Sequence, residues 1–183
     1  YNYISDLQID KFFIWAVIGI ILGGRIGYVL FYQPNLFFYK PIYILEIWNG
    51  GMSFHGGLIG IIVSIYIFSI KNHIKFFYLS DLVSLVAPIG LFLGRISNFI
   101  NTELYGRITN FPFAIIYPEI DNNTRHPSQL YEALFEGLVL FVILYVYFKK
   151  NKKEYKIGNI SALFLIFYSI FRFIIEFLRE PDL

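Results

Sequence analysis

The stretch ISALFLIFYSIFRFIIEFL (residues 160–178) decides the fold class of this chain. It comes close to the roughly 20 mainly apolar residues that a helix needs to cross a bilayer. Yet it carries Tyr168, Arg172 and Glu176 at intervals of four residues, which places their side chains on one face of a helix. A charge at the centre of a bilayer costs roughly 3 kcal/mol or more, so such residues point to a function inside the membrane.

The composition of the whole chain agrees with a membrane protein. Of its 183 residues, 57% are hydrophobic and 15% are charged, whereas charged residues make up roughly 25% of a soluble domain. Aromatic residues reach 21%, which is typical of proteins with aromatic belts at the membrane interfaces. The absence of cysteine from the sequence excludes disulfides and thiolate nucleophiles of its own. We expect neither a nucleic-acid partner nor a cofactor.

Five apolar runs have nearly the length of a transmembrane helix. They are residues 12–31, 55–70, 82–100, 130–148 and 160–178. Residues 32–54 are aromatic and interrupted by prolines, which predicts an interfacial arm. Residues 101–129 are polar and rich in turn formers, which predicts a small head outside the membrane. The predicted fold is an all-α polytopic helix bundle that forms a single transmembrane domain over residues 1–183.

The lysines predict the direction of the spans. Lys11 precedes the first run, Lys71 and Lys75 follow the second, and five lysines lie between residues 149 and 156. Positive residues favour the cytoplasmic side, and all three places agree with one alternating path. This path puts the arm, the head and the C-terminal end on the outer side.

Arginine and lysine are distributed differently. None of the nine lysines lies inside an apolar run, whereas three of the six arginines do, namely Arg25, Arg95 and Arg172. Each lies in the half of its span nearer the outer face, the level at which a lipid headgroup sits. A guanidinium keeps its charge and offers a planar fork of donors that fits a phosphate or a carboxylate. A single arginine of this kind could instead lock helices by pairing with a carboxylate, as Arg172 and Glu176 could within one helix.

Other polar residues fall at the same level. His55 opens the second run, Asn98 and Glu103 close the third, and Gln129 and Glu132 open the fourth. We interpret this convergence as a site for an anionic headgroup. The glycines near residues 23–27 and 56–60 most simply allow close packing between helices.

Five blocks of the sequence resemble one family, the prolipoprotein diacylglyceryl transferases. The blocks are GGRIGYVLFY (23–32), GGMSFHGGLIG (50–60), GLFLGRISNFINTELYGR (90–107), RHPSQLYEALFEG (125–137) and FRFIIEFLREPD (171–182). They occur in the order that the family has. Family members have seven spans, so the resemblance implies a fragment that lacks the first and the last.

The resemblance also implies an activity. The family transfers the diacylglyceryl group of phosphatidylglycerol to the lipobox cysteine in the signal peptide of a preprolipoprotein, forming a thioether and releasing glycerol 1-phosphate. It acts in the bacterial inner membrane, and we expect the active site to face the outer leaflet.

The resemblance assigns roles to individual residues. Three are expected to be catalytic: His55, Arg95 and Arg172. Those expected to bind phosphatidylglycerol are Arg95, Asn98, Glu103, Gly106, Tyr168 and Glu176. Arg25, in the block GGRIGY, is expected to face the same cavity and bind this lipid or else to pair with a carboxylate. Glu103 and Glu176 are suitable partners to hold the arginines. His55 is either the base that takes the thiol proton or a lipid-binding residue, and no metal is expected.

Two other classes of function compete with this one. An intramembrane transporter of anions or phospholipids could use buried arginines, but it needs polar residues along the full depth of its spans. The cytoplasmic halves of these spans are apolar. An intramembrane protease is disfavoured because Ser53 and His55 are too close in sequence to form a dyad and no paired aspartates occur in the spans.

Overall fold

The computed structural model describes residues 4–152 and 154–181, without the side chains of residues 36, 37 and 41. The helices are α1 (Asp6–Tyr32), α2 (Pro34–Tyr39), α3 (Phe54–Asn72), α4 (Phe76–Ile100), α5 (Ser128–Glu132), α6 (Leu140–Lys150) and α7 (Asn159–Glu176). A π-helical segment, Ala133–Val139, joins α5 to α6. The short 3-10 helices Pro41–Leu45 and Ile47–Asn49 lie between α2 and α3. This architecture confirms the predicted all-α class.

Five helices are long and apolar enough to cross a membrane. They are Asp6–Tyr32, Phe54–Asn72, Phe76–Ile100, Ser128–Lys150 and Asn159–Glu176. Each overlaps one of the five apolar runs. The first begins at Asp6 rather than at residue 12, because Ser5 and Gln8 form a capping box that starts the helix before its apolar part.

By its contacts the chain divides into two compact units, Tyr1–Leu79 and Ser80–Leu183. In the first unit, α1 packs against α3 at a distance that only glycine permits. A Cβ atom on Gly23 would lie 2.3 Å from the carbonyl oxygen of Gly56. Small residues of this kind let helix backbones approach closely in a membrane, as predicted for these glycines.

Arg25 holds the arm in the first unit. Its side chain is buried, and its guanidinium donates to the backbone carbonyls of Tyr43, Ile44, Glu46, Gly50 and Gly51. Those carbonyls lie between residues 43 and 51, in the predicted arm. All five guanidinium N–H groups are therefore used by neutral backbone acceptors of the same unit.

In the second unit, Asp81 fixes the start of α7. The backbone N–H and the hydroxyl of Ser161 donate to its Oδ1 at 2.7 and 2.6 Å. The N–H of Gly158, at 2.6 Å, and the hydroxyl of Tyr155 donate to its Oδ2. A carboxylate at a helix N-terminus satisfies orphan amide groups and complements the helix dipole.

The head begins after α4 and contains a small hairpin, in which β1 (Ile115–Ile116) pairs antiparallel with β2 (Thr124–Arg125). Arg125 lies 2.7 Å from Asp121 and 3.4 Å from Glu180, which joins the hairpin to the chain beyond α7. Its hydrogen bonds lower the pKa of the Asp121 carboxyl to about 2. The buried Tyr117 hydroxyl donates to Gln129 at 3.0 Å, and burial raises its pKa.

Candidate active site

The second unit brings two of the predicted arginines to one carboxylate. Glu132 is completely buried at the end of α5. Its Oε2 lies 3.0 Å from Nε of Arg95 on α4, and its Oε1 lies 2.5 Å from Nη1 of Arg172 on α7. Residues from three separate stretches of the chain therefore meet at one point.

A second carboxylate, Glu136, lies one helical turn further along. It is completely buried, and its oxygens lie 3.6 Å from Nη2 of Arg95 and 3.9 Å from Nη1 of Arg172. These distances are too long for hydrogen bonds. Three buried oxygens, Glu132 Oε2 and both of Glu136, have no hydrogen-bond partner among the described residues. Glu136 lies in the π-helical segment, a distortion that occurs frequently at functional sites.

The carboxylates and the guanidiniums differ in exposure. The side chains of Glu132 and Glu136 are 0% exposed, whereas those of Arg95 and Arg172 are 18% and 26% exposed. An anion that approaches this cluster therefore reaches guanidinium groups first and carboxylates only behind them. Such a layered arrangement holds the two cations in place and leaves them able to bind a further anion.

The remaining predicted residues of α7 lie beside Arg172. Glu176 is 52% exposed and its Oε2 lies 2.8 Å from Nη2 of Arg172, so the predicted pairing within the helix is present. Tyr168 stacks on Phe164 with ring centroids 5.7 Å apart and lies within electrostatic reach of Glu136 and both arginines. No described residue hydrogen-bonds its hydroxyl.

Glu103 differs from the sequence-based expectation, because it pairs with no arginine among the residues that the structure describes. Its Oε2 accepts a hydrogen bond from Asn98 Nδ2 at 2.8 Å, and its N–H donates to the Asn98 carbonyl at 2.9 Å. Gln129 Nε2 donates to the Glu103 carbonyl at 2.6 Å, and Ser128 Oγ to the Leu104 carbonyl at 2.9 Å. These bonds fasten the turn after α4 to the start of α5. Roles for Asn98 and Glu103 in binding lipid stay predictions.

Gly106 lies where the head meets the chain after α7. It forms an antiparallel bridge with Arg179, and a Cβ atom here would lie 2.5 Å from the carbonyl oxygen of His126. Only glycine fits at this approach. Packing therefore accounts for the residue, and its contact with phospholipid stays a prediction.

The two predicted site residues of the first unit differ from each other. Arg25 is 1% exposed and surrounded by carbonyls, which gives it a structural role in holding the arm. His55 is exposed on the first turn of α3, where its ring meets that of Phe54 edge-on with centroids 5.6 Å apart. Lipid binding by Arg25 and catalysis by His55 both stay predictions.

Glu136 is the residue that sequence reasoning misses. For Glu132 the sequence predicts the correct level and suggests a cap with Ser128, but the start of α5 has no side-chain cap hydrogen bond. The signal was present, because RHPSQLYEALFEG carries two carboxylates four residues apart at the start of an apolar run. A carboxylate inside the membrane needs a cationic partner for the same reason that an arginine there needs an anionic one, because an unpaired charge of either sign is costly. Over the described part of the chain, no group of His, Asp or Glu side chains is arranged to hold a metal ion.

Comparison with known proteins shows the family of the chain. The family described as Prolipoprotein diacylglyceryl transferase matches residues 2–183. Relatives named phosphatidylglycerol–prolipoprotein diacylglyceryl transferase include one from Rickettsia typhi, 58% identical over 181 residues, which span 98% of this chain and 70% of that protein. Another, from Rickettsia bellii, is 56% identical over 180 residues, which span 98% of this chain and 68% of that protein. The chain is thus a multi-pass membrane transferase that belongs to the prolipoprotein diacylglyceryl transferase family.

Proposed function

We propose that this protein transfers the diacylglyceryl group of phosphatidylglycerol to the thiol of a lipobox cysteine. In this step the cysteine sulfur forms a bond to the glyceryl carbon that carries the phosphate. The bond from that carbon to the phosphate oxygen breaks, its electron pair leaves on the oxygen, and glycerol 1-phosphate departs. The thiol proton passes to a base. The observation that carries the proposal is the pair of guanidiniums, from α4 and α7, fixed on one buried carboxylate.

Arg95 and Arg172 are proposed to hold the phosphate and to stabilise the charge that develops on it. Both side chains are partly accessible, and Glu132 fixes both before any substrate arrives. Donors that are already oriented need no reorganisation during the reaction, which is why such groups contribute strongly to catalysis. Tyr168, one helical turn from Arg172, is proposed to orient a phosphate oxygen. Glu176 restrains Arg172 from its exposed side.

The nucleophile is proposed to be the thiolate of the substrate cysteine. A thiol has an unperturbed pKa of about 8.5, so it needs a base or a strongly positive site to ionise. His55 is exposed on the first turn of α3, and its imidazole is the candidate base. A His55→Gln variant separates its two possible roles. Loss of a base lowers kcat and removes a limb of the pH–rate profile, whereas loss of a lipid ligand raises the KM for phosphatidylglycerol.

The site is proposed to face the outer leaflet of the bacterial inner membrane. The distribution of lysines supports this orientation, since the lysines near Lys11, after α3 and between α6 and α7 all favour the cytoplasmic side. The head and the turn after α4 then lie outside. A lipobox cysteine near the outer surface would meet the phosphate at that level.

The decisive experiment is product formation in membrane vesicles that contain phosphatidylglycerol and a lipobox peptide. The expected product is the thioether-linked lipopeptide, detected by mass spectrometry. Arg95→Ala should lower the rate by about 10²–10³, as the loss of a donor to a developing anion typically does. Arg107→Ala, an exposed arginine of the head, is the matched control and should stay within a few-fold of the unaltered protein.

Three results would contradict the proposal. One is full activity with phosphatidylethanolamine in place of phosphatidylglycerol. Another is an unchanged rate for Arg95→Ala. The last is movement of phospholipid between leaflets with no lipopeptide formed, which would favour the transporter.

A further inference from the structure

The proposed reaction gives Glu132 and the two arginines roles, but it leaves Glu136 without one. This carboxyl is completely buried, and neither of its oxygens has a hydrogen-bond partner among the described residues. A buried carboxylate without hydrogen bonds is costly, and such groups in native proteins call for an explanation. Its place between Arg95 and Arg172 indicates that the explanation lies in the charge of the site.

The charged groups around Glu136 can be counted from each element that packs on it. Arg95 faces it from α4, Arg172 and Tyr168 face it from α7, and Glu132 precedes it by one turn on its own helix. With both glutamates ionised, the buried carboxylates cancel the two guanidiniums. Glu176, which also pairs with Arg172, is half exposed, and its negative charge is matched at the rim by the guanidinium of Arg179, 3.8 Å from its Oε2.

A phosphodiester anion entering this cluster would therefore meet no net positive charge. One proton added to the buried carboxylates restores a surplus of one positive charge, which the phosphodiester then neutralises. Three carboxylate oxygens of the cluster accept no hydrogen bond, and a carboxyl proton adds an O–H donor beside them. Glu132 already lies within 3.0 Å of each guanidinium, so its ionised form is the better stabilised. The proton belongs on Glu136, whose nearest guanidinium nitrogens are 3.6 and 3.9 Å away.

We infer that Glu136 takes up one proton when an anionic phospholipid headgroup binds at Arg95 and Arg172. Glu136 is thus a positioning residue that couples affinity for the anion to pH, while Glu132 remains the charged anchor of both arginines. The inference rests on the proposed function, since the anion it concerns is the phosphodiester that the reaction uses.

Equilibrium binding of a fluorescent phosphatidylglycerol, measured without peptide between pH 6 and 9, tests this coupling. Omitting the peptide removes the titration of the substrate thiol. For the unaltered protein, the dissociation constant should rise with pH and approach a tenfold increase per pH unit, the limit for uptake of one proton. The glutamine side chain of Glu136→Gln is neutral at every pH. In this variant the dissociation constant should stay within about twofold of its value at pH 6 over the whole range. His55 is present in both proteins, so it cannot produce the difference.

Glu132→Gln is the matched control, because it makes the same change one helical turn away. It should weaken binding at every pH through loss of the anchor that holds both arginines, whereas Glu136→Gln should keep the affinity that the unaltered protein has at pH 6. Two results would overturn the inference. One is the same pH dependence in Glu136→Gln as in the unaltered protein, which would leave Glu136 a packing role only. The other is binding by Glu136→Gln that is uniformly weak, which would mean that an ionised Glu136 is required.

The proposed function and the proton coupling at Glu136 can be disproved separately. If the unaltered protein binds the lipid with the expected pH dependence but forms no lipopeptide, the proposed function is wrong and the coupling stands. If lipopeptide forms at normal rates but Glu136→Gln leaves the pH dependence of lipid binding unchanged, the coupling is wrong and the function stands.

Discussion

Two places in the second unit bury carboxylates to the same degree and use them differently. Asp81, at the start of α7, is 1% exposed and receives four hydrogen bonds from Tyr155, Gly158 and Ser161. Glu132 and Glu136, which face the other half of α7, are 0% exposed, and three of their four oxygens have no hydrogen bond from the described residues. The carboxylates are equally buried at the two places, but only at Asp81 do both oxygens accept hydrogen bonds.

The difference separates a structural carboxylate from one that is part of a site. At Asp81 every oxygen already has neutral donors, so the group has nothing left to bind. At Glu132 and Glu136 the partners are cations that remain partly accessible and can take another anion. Arg25 makes the same point with the opposite charge, since its five donors are used by backbone carbonyls whereas those of Arg95 and Arg172 are not. The site is therefore distinguished by hydrogen-bonding groups that still lack a partner, rather than by its charge or its burial.

The strongest test of this contrast is Arg172→Lys. Lysine keeps the charge but loses the planar fork that bridges Glu132 and Glu176 and that would grip the phosphate. We expect kcat for lipopeptide formation to fall by about 10²-fold or more, with little change in thermal stability. Arg107→Lys is the control and should keep its rate. Normal turnover by Arg172→Lys would mean that the site needs only a positive charge.

Asp81→Asn addresses the other side of the contrast. Asparagine leaves one acceptor oxygen where four donors now share two, so buried donors at the start of α7 lose charge-assisted bonds. We expect the free energy of unfolding to fall by about 3 kcal/mol, since a bond to a charged group contributes roughly 1.5–3 kcal/mol.

The measurement for Asp81→Asn is a thermal or denaturant melt in detergent, with kcat per folded molecule measured alongside. Asp10→Asn, an exposed carboxylate on α1, serves as control and should change neither quantity. If kcat per folded molecule falls and stability does not, Asp81 takes part in activity and is not a purely structural carboxylate.

The smallest expected effect concerns Asp121 in the head, a carboxylate that has its hydrogen bonds but is partly exposed to solvent. Its pKa is lowered to about 2 by its bonds with Arg125 and the N–H of Asn123. A lowered pKa in the folded state means that the pair stabilises the head above the ordinary aspartate pKa of about 4 and that this contribution disappears as pH falls through about 2.

Asp121→Asn should therefore be less stable than the unaltered protein near pH 6, and the difference should vanish between pH 4 and pH 2. Hydrogen exchange at the amides of the β1–β2 hairpin reports it directly. A difference that persists at pH 2 would show that the bond to Arg125 does not depend on the carboxylate charge.

Much of this architecture follows from local sequence. The five spanning helices overlap the five apolar runs, since the need to pair every backbone polar group within the bilayer leaves a run of that length little choice but a helix. The glycines of α1 and α3 pack as predicted, because close approach between helices in lipid depends on small side chains. The pairing of Arg172 with Glu176 also follows from their spacing on one helix.

The pairings across helices do not follow in this way. The sequence suggests Glu103 as the partner of an arginine, whereas in the structure it holds Asn98 in the turn after α4. Asp81 had no signal at all, because a lone aspartate at the start of an apolar run looks the same whether it caps a distant helix or faces solvent. Glu136 was hidden inside a run that was otherwise apolar.

The sequence by itself determined that this chain is a membrane protein, where its helices run and which cations lie in them. Those properties depend on transfer energies and spacings that belong to each segment alone. Only the tertiary structure decided that Arg172 meets Glu132, 40 residues away in the chain, and that Arg25 donates to backbone carbonyls of the arm. Such contacts depend on how separate helices pack side by side, and no single stretch of residues carries that information.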